Sequence, residues 1–112
     1  MFGNLGNMAS LLKQAQEMPK RLKEMQERLA AMSFEGEAGA GAVVATVNGK
    51  FDLLKLQISP DVVKPEDREM LEDLVVAAVS AAAAKAKVAV QEETAKVTGG
   101  LNLPGLEGLL GK

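Results

Sequence analysis

The sequence predicts an α+β domain in the order α-β-β-β-α, with a three-stranded antiparallel sheet between two long helices. Three observations carry this. A heptad-spaced apolar pattern runs from Met8 to Met32, the stretch Ser33 to Ile58 is β-rich around an Asn48-Gly49 pair, and a second helical stripe follows Pro65. Residues 1–98 read as one domain and 99–112 as a flexible Gly/Leu-rich tail.

The first helix is defined by its spacing. Met8, Ala15, Leu22 and Leu29 recur every seven residues, as do Leu11, Met18, Met25 and Met32. That is an a/d seam, which Leu12 widens. Residues 1–7 are Gly/Asn-rich and read as loose, with Asn4 or Asn7 as N-cap. Pro19 removes a backbone donor at a cost of about 3 kcal/mol in a helix interior. The heptad phase is unchanged across it, so a kinked continuous helix is expected, with two helices as the alternative. Leu11, Met18, Leu22, Met25, Leu29 and Met32 form a dimer or core seam. Packing against the sheet is its expected fate in preference to a ligand groove, although so narrow a seam points to another helix along part of its length. Off the seam, Lys13–Glu17, Glu17–Arg21, Lys20–Glu24 and Glu24–Arg28 stand at i,i+4 pairing distance.

Ser33–Glu37 reads as a short first strand, and the glycines of Gly39-Ala40-Gly41 as a mobile turn. That turn leads into a strand, which makes it a poor phosphate cradle. Val43, Ala45 and Val47 alternate on one face of the next strand. Asn48-Gly49 then predicts a type I′ hairpin turn, which needs positive φ at both residues. After Phe51 and Leu53 the apolar phase slips to Leu56 and Ile58. The Leu53-Leu54-Lys55 step is therefore a β-bulge, or the strand is apolar on both faces.

Ser59-Pro60-Asp61 ends the sheet, and Pro65 suits the first turn of the second helix. Glu66, Asp67, Glu69, Glu72 and Asp73 complement that helix's positive end. Its stripe is Met70, Leu71, Leu74, Val75, Ala78, Val79, Ala82, Ala86 and Val90, and Ala81–Ala84 permits close approach of a helix or the sheet. Gly99-Gly100 stop the helix. The tail beyond has no usable periodicity, and a docking motif is the alternative to disorder there.

Composition excludes several chemistries. The chain has neither cysteine nor histidine, so disulfides, Cys/His zinc sites, thiol nucleophiles and imidazole bases are ruled out. No signal peptide or membrane span is expected, nor any cofactor, metal or small-molecule substrate. Paired carboxylates at Glu35/Glu37 and Glu92/Glu93 are the only support for an enzyme. The net charge of −2 hides a gradient. Residues 1–32 carry five bases against three acids, whereas residues 65–98 carry four against seven. Geometry implies an oligomer. Helices of roughly 36 and 50 Å must overhang strands of about 20 Å, and an overhanging apolar seam needs a partner, most commonly a second copy.

The blocks Asn7-Met8, Leu12-Lys13-Gln14-Ala15-Gln16-Glu17-Met18, Gly36-Glu37-Ala38-Gly39, Asn48-Gly49-Lys50, Ile58-Ser59-Pro60 and Glu69-Met70-Leu71-Glu72-Asp73-Leu74 resemble the YbaB/EbfC family of bacterial nucleoid-associated proteins. The resemblance covers nearly the whole chain and departs from the family pattern at Pro19 and at Ala84-Lys85. It implies a tweezer-like homodimer, with paired helices projecting from a joined sheet. It also implies binding of double-stranded DNA with little sequence preference, in the cytoplasm and nucleoid. The charge gradient and the resemblance together nominate Lys13, Lys20, Arg21, Lys23, Arg28, Lys85, Lys87 and Lys96 as phosphate contacts. No base-reading motif is present, and with only Phe2, Phe34 and Phe51 there is no aromatic platform. The alternative is a dimeric scaffold for replication, recombination or repair proteins, built on the Met-rich seam or the Leu-rich tail.

Overall fold

A computed structural model gives the fold and describes the backbone of residues 2–98, with side chains from Met8 onward. Helix α1 spans Phe2–Ala31, strands β1, β2 and β3 span Ser33–Ala38, Val43–Asn48 and Leu53–Ile58, and helix α2 spans Arg68–Thr98. The strands form one antiparallel sheet in sequence order. The expected tail begins at Gly99 and lies outside the described residues.

The core is built from small side chains. Val43, Ala45 and Val47 on β2 are buried beneath Ala78, Ala82 and Ala86 of α2. Gly36 on β1 makes this possible. A Cβ there would lie 2.2 Å from the Ala82 nitrogen and 2.4 Å from the Ala78 carbonyl oxygen. The alanine run thus lets α2 rest directly on the β1 backbone, and the partner it approaches is the sheet.

The first strand connection is the expected glycine turn, and the second differs from expectation. Between β1 and β2, Gly39, Ala40 and Gly41 take φ of +64°, +56° and +87°, and the Ala42 N–H donates to the Gly39 carbonyl at 3.1 Å. Between β2 and β3 there is no type I′ turn, since neither Asn48 nor Gly49 has positive φ. Phe51 carries the positive φ, +67°, closing a three-residue loop in which its N–H donates to the Asn48 carbonyl at 3.0 Å. The Asn48 side chain stabilises this loop. Its Oδ1 accepts from the N–H groups of Lys50 and Asp52 at 2.9 and 3.0 Å. Gly49 serves packing instead. Its N–H donates to the Leu29 carbonyl at 2.8 Å, and an added Cβ would meet the Leu29 Cβ at 2.7 Å. The expected bulge is present: Thr46 faces Lys55 while Val47 faces Leu53, leaving Leu54 as the extra residue.

At the end of β3 the Ser59 hydroxyl accepts from the Asp61 N–H, capping a 3-10 turn at Pro60–Val62. Pro65 does not open α2 directly. It begins a second 3-10 turn, Pro65–Asp67, and the α-helix starts at Arg68. β1 also runs one residue past Glu37.

Helix α1 corrects two expectations. It begins at Phe2, so residues 2–7 extend the helix where a loose segment was expected; across Pro19 it stays one continuous helix, as expected. It also does not lie on the sheet. Of the six seam residues only Leu29 is buried, at 4 % exposure. Met18, Met25 and Met32 are half-buried, and Leu11 and Leu22 are exposed, at 56 % and 40 %. The sheet's one covered face is already occupied by α2, so α1 is held at its root, against β2 and the end of α2, and projects from there. At 1.5 Å per residue its 30 residues measure about 45 Å. The radius of gyration, 20.6 Å, reflects this projection. A compact chain of this length is expected near 13 Å.

Candidate nucleic-acid interface

The nominated cations fall into distinct settings. Lys13, Lys20 and Lys23 are exposed along α1 and Lys87 along α2, and none of the four forms an ion pair among the described residues. Arg21 pairs with Glu17 at 3.2 Å, an exposed i,i+4 contact that phosphate competes with easily. Lys85 is different: its Nζ donates to the Glu35 carbonyl at 2.7 Å, against the outer strand β1. The other expected helix pairs, Lys13–Glu17, Lys20–Glu24 and Glu24–Arg28, are not formed. Arg68–Glu72 on α2, at 3.8 Å, is a further exposed pair.

Arg28 and Lys96 converge on Glu93, a local i,i+3 partner for Lys96 but one that lies sixty-five residues from Arg28. The Arg28 Nε lies 3.3 Å from Glu93 Oε1, and the Lys96 Nζ lies 3.5 Å from Glu93 Oε2. Glu93 is buried, at 4 % exposure, while Glu92 beside it is exposed, so the two carboxylates stand in different surroundings. Burial pushes the Glu93 carboxyl up. The Arg28 hydrogen bond and the charges of Lys96 and Arg28 outweigh this and hold it below the usual carboxylate range. Arg21, Glu24, Arg28, Lys96 and Val97 line a notch of about 200 Å³ beside this contact. Arg28 meets Glu93, and the earlier Arg21 and Glu24 meet the later Lys96 and Val97. The root of α1 therefore runs antiparallel to the end of α2.

The opposite region is apolar. All six residues of β3 are exposed, including Leu53, Leu54, Leu56 and Ile58, with Phe51 beside them at the loop. Among the described residues, no group of three or more His, Cys, Asp or Glu side chains forms a metal cluster, and no helix is long and apolar enough to cross a membrane.

An arm carrying unpaired lysines suits a polyanion, and comparison with known proteins points the same way. The sequence pattern of the YbaB/EbfC DNA-binding family matches residues 4–101. The chain belongs to this family. Curated relatives are similar over nearly their whole length. A "Nucleoid-associated protein" of Clostridium perfringens is 54 % identical over 104 residues, covering 93 % of each chain. One of Granulibacter bethesdensis is 51 % identical over 98 residues, covering 88 % of this chain and 92 % of the relative. One of Thermoanaerobacter pseudethanolicus is 48 % identical over 100 residues, covering 89 % and 90 %. The crystal structure of an uncharacterized Helicobacter pylori protein superposes with a TM-score of 0.60 over 90 % of this chain and 96 % of that one. At 22 % identity, that likeness shows the shared fold. Membership places the chain among bacterial nucleoid-associated, DNA-binding proteins.

Proposed function

We propose that this protein binds double-stranded DNA as a homodimer, with little sequence preference, in the bacterial nucleoid. The observation that carries this reading is the projecting α1 arm, whose Lys13, Lys20 and Lys23 are exposed and unpaired. Arg21 joins them, since a surface ion pair yields readily to phosphate, and Lys87 adds a cation from α2. Arg28, Lys85 and Lys96 are second-rank contacts, because each already holds an acceptor. The binding is electrostatic and non-catalytic, directed at the phosphate backbone.

The dimer follows from surface that one chain leaves open. The seam at Leu11 and Leu22 and the strand at Leu53, Leu54, Leu56 and Ile58 expose large apolar side chains. A second copy covers such surface symmetrically. At the other edge of the sheet, Lys85 ties α2 to the β1 backbone, which favours β3 as the edge that joins. The scaffold reading, with replication or recombination proteins as partners, draws on the exposed stripe at Met8, Leu11 and Leu12.

Titration of duplex DNA at several salt concentrations, with solution mass measured alongside, tests the proposal. The expected mass is that of two chains. Four to eight phosphate contacts give a log–log salt slope on the order of 4 to 7 in magnitude, nearly the same for unrelated sequences. A stable monomer would remove the dimer. Absence of binding at low salt would favour the scaffold.

A further inference from the structure

Little of the chain fixes the direction in which α1 projects. The arm meets the body at its root, where buried Leu29 gives its carbonyl to the Gly49 N–H and where Arg21, Glu24 and Arg28 face Lys96 and Val97 of α2. A root of about two turns sets the position of a long helix better than its angle. The neighbouring residue, Arg28, makes the polar contact to α2, and its acceptor is the buried carboxylate of Glu93. A buried carboxylate favours strongly the arrangement that keeps its cations near. Arg28 is the only one of those cations on the arm, since Lys96 is one turn away on Glu93's own helix. The leverage is large. Gln16 lies twelve residues beyond Arg28, about 18 Å along the helix, so a 10° swing at the root moves it by about 3 Å. That is close to the 3.4 Å spacing of one DNA strand along its axis.

We propose that Glu93 is the positioning residue of the α1 arm. Through Arg28 it fixes the angle at which Lys13, Lys20 and Lys23 are presented. The arm's angle is a property of the free protein, while its consequence for affinity rests on the DNA-binding reading above.

The chain has no cysteine, so paired spin labels at Gln16→Cys and Gln91→Cys, both exposed positions, report the α1–α2 distance without other changes. Dilution with excess unlabelled chain restricts the signal to pairs within one protomer. The unmodified lock gives a narrow distribution. Glu93→Gln broadens it by about 3 Å or more, the displacement of a 10° swing. Arg28→Ala, which removes a half-exposed side chain and tests the lock even where Glu93→Gln folds poorly, broadens it equally. The double variant is no broader than either single one, because both open the same contact. An unchanged distribution in well-folded Arg28→Ala overturns the proposal whatever the DNA result.

DNA affinity then separates positioning from charge. Glu93→Gln makes each chain more positive, so a mere loss of repulsion would strengthen binding. Loosening the arm instead weakens it about three- to tenfold, since the arm must be ordered on binding. Broader distances with stronger DNA binding would overturn the positioning role. A wild type with narrow distances and no affinity for DNA would sink the functional reading and leave the lock standing.

Discussion

Helices α1 and α2 are nearly equal in length, at 30 and 31 residues, yet they use their apolar residues in opposite ways. The fully buried face of α2 is made mainly of alanines, and Ala78, Ala82 and Ala86 have no exposed surface. The α1 seam is made of leucine and methionine, and of its six residues only Leu29 is buried. Small residues allow close approach to the sheet and so become buried within the protomer. Large ones on a projecting helix form a surface for something else. Side-chain size alone therefore misassigns the core here; what matters is which helix can reach the sheet.

The largest effect is expected where α2 touches backbone. Gly36→Val places atoms inside the Ala78–Ala82 turn, and nothing flexible is available to move. A loss of about 3 kcal/mol or more in chemical denaturation is expected, at the upper end of overpacking costs. Gly49→Val collides with the Leu29 backbone and should cost about 1 to 3 kcal/mol. Gly105→Val serves as the reference and should melt like the wild type. Equal melting temperatures for all three would contradict both close approaches.

On the arm, Leu22→Asp should leave the protomer folded, because Leu22 is 40 % exposed there, while shifting the mass from two chains towards one. Ala82→Asp, in the buried face, should instead unfold the protein. A folded, fully dimeric Leu22→Asp would show that the seam lies outside the dimer interface.

The smallest effect is the pH dependence of the Glu93 contact, which Arg28 faces from α1 and Lys96 from its own helix. A carboxyl held low in the folded state is stabilising above its unfolded pKa, about 4.3, and that stabilisation is lost as pH falls through the folded value. The melting-temperature gap between wild type and Glu93→Gln should be widest near neutrality and close in acid below about pH 4. A gap unchanged from pH 7 to pH 3 would mean that the carboxylate charge contributes nothing.

Much of the fold is legible in local pattern. The heptad, the alternation of Val43, Ala45 and Val47, and the phase slip at Leu53-Leu54-Lys55 each produced the expected element. What local pattern misassigned depends on tertiary contact. Asn48-Gly49 reads as a type I′ turn, but Gly49 is a glycine because Leu29 lies against it, and the left-handed residue is Phe51. Arg28 has Glu24 at ideal helical spacing yet pairs with Glu93, sixty-five residues away. Sequence spacing cannot anticipate that, because α1 meets α2 only where both leave the sheet. The candidate interface was legible as charge, and the structure divides it into cations that are available and cations that are held.

The most direct test of the arm's role is DNA binding by Lys20→Glu with Lys23→Glu, measured beside Glu66→Lys with Asp67→Lys. Lys20, Lys23 and Glu66 are exposed and Asp67 is half-buried. The first pair lies on the arm, and the second lies in the turn before α2. The arm variant should stay folded, lose affinity for every duplex and show a shallower salt slope, by about 0.9 for each contact removed. The control should keep wild-type affinity or gain slightly from its added charge. Unchanged binding in the folded arm variant would show that the α1 lysines do not contact DNA.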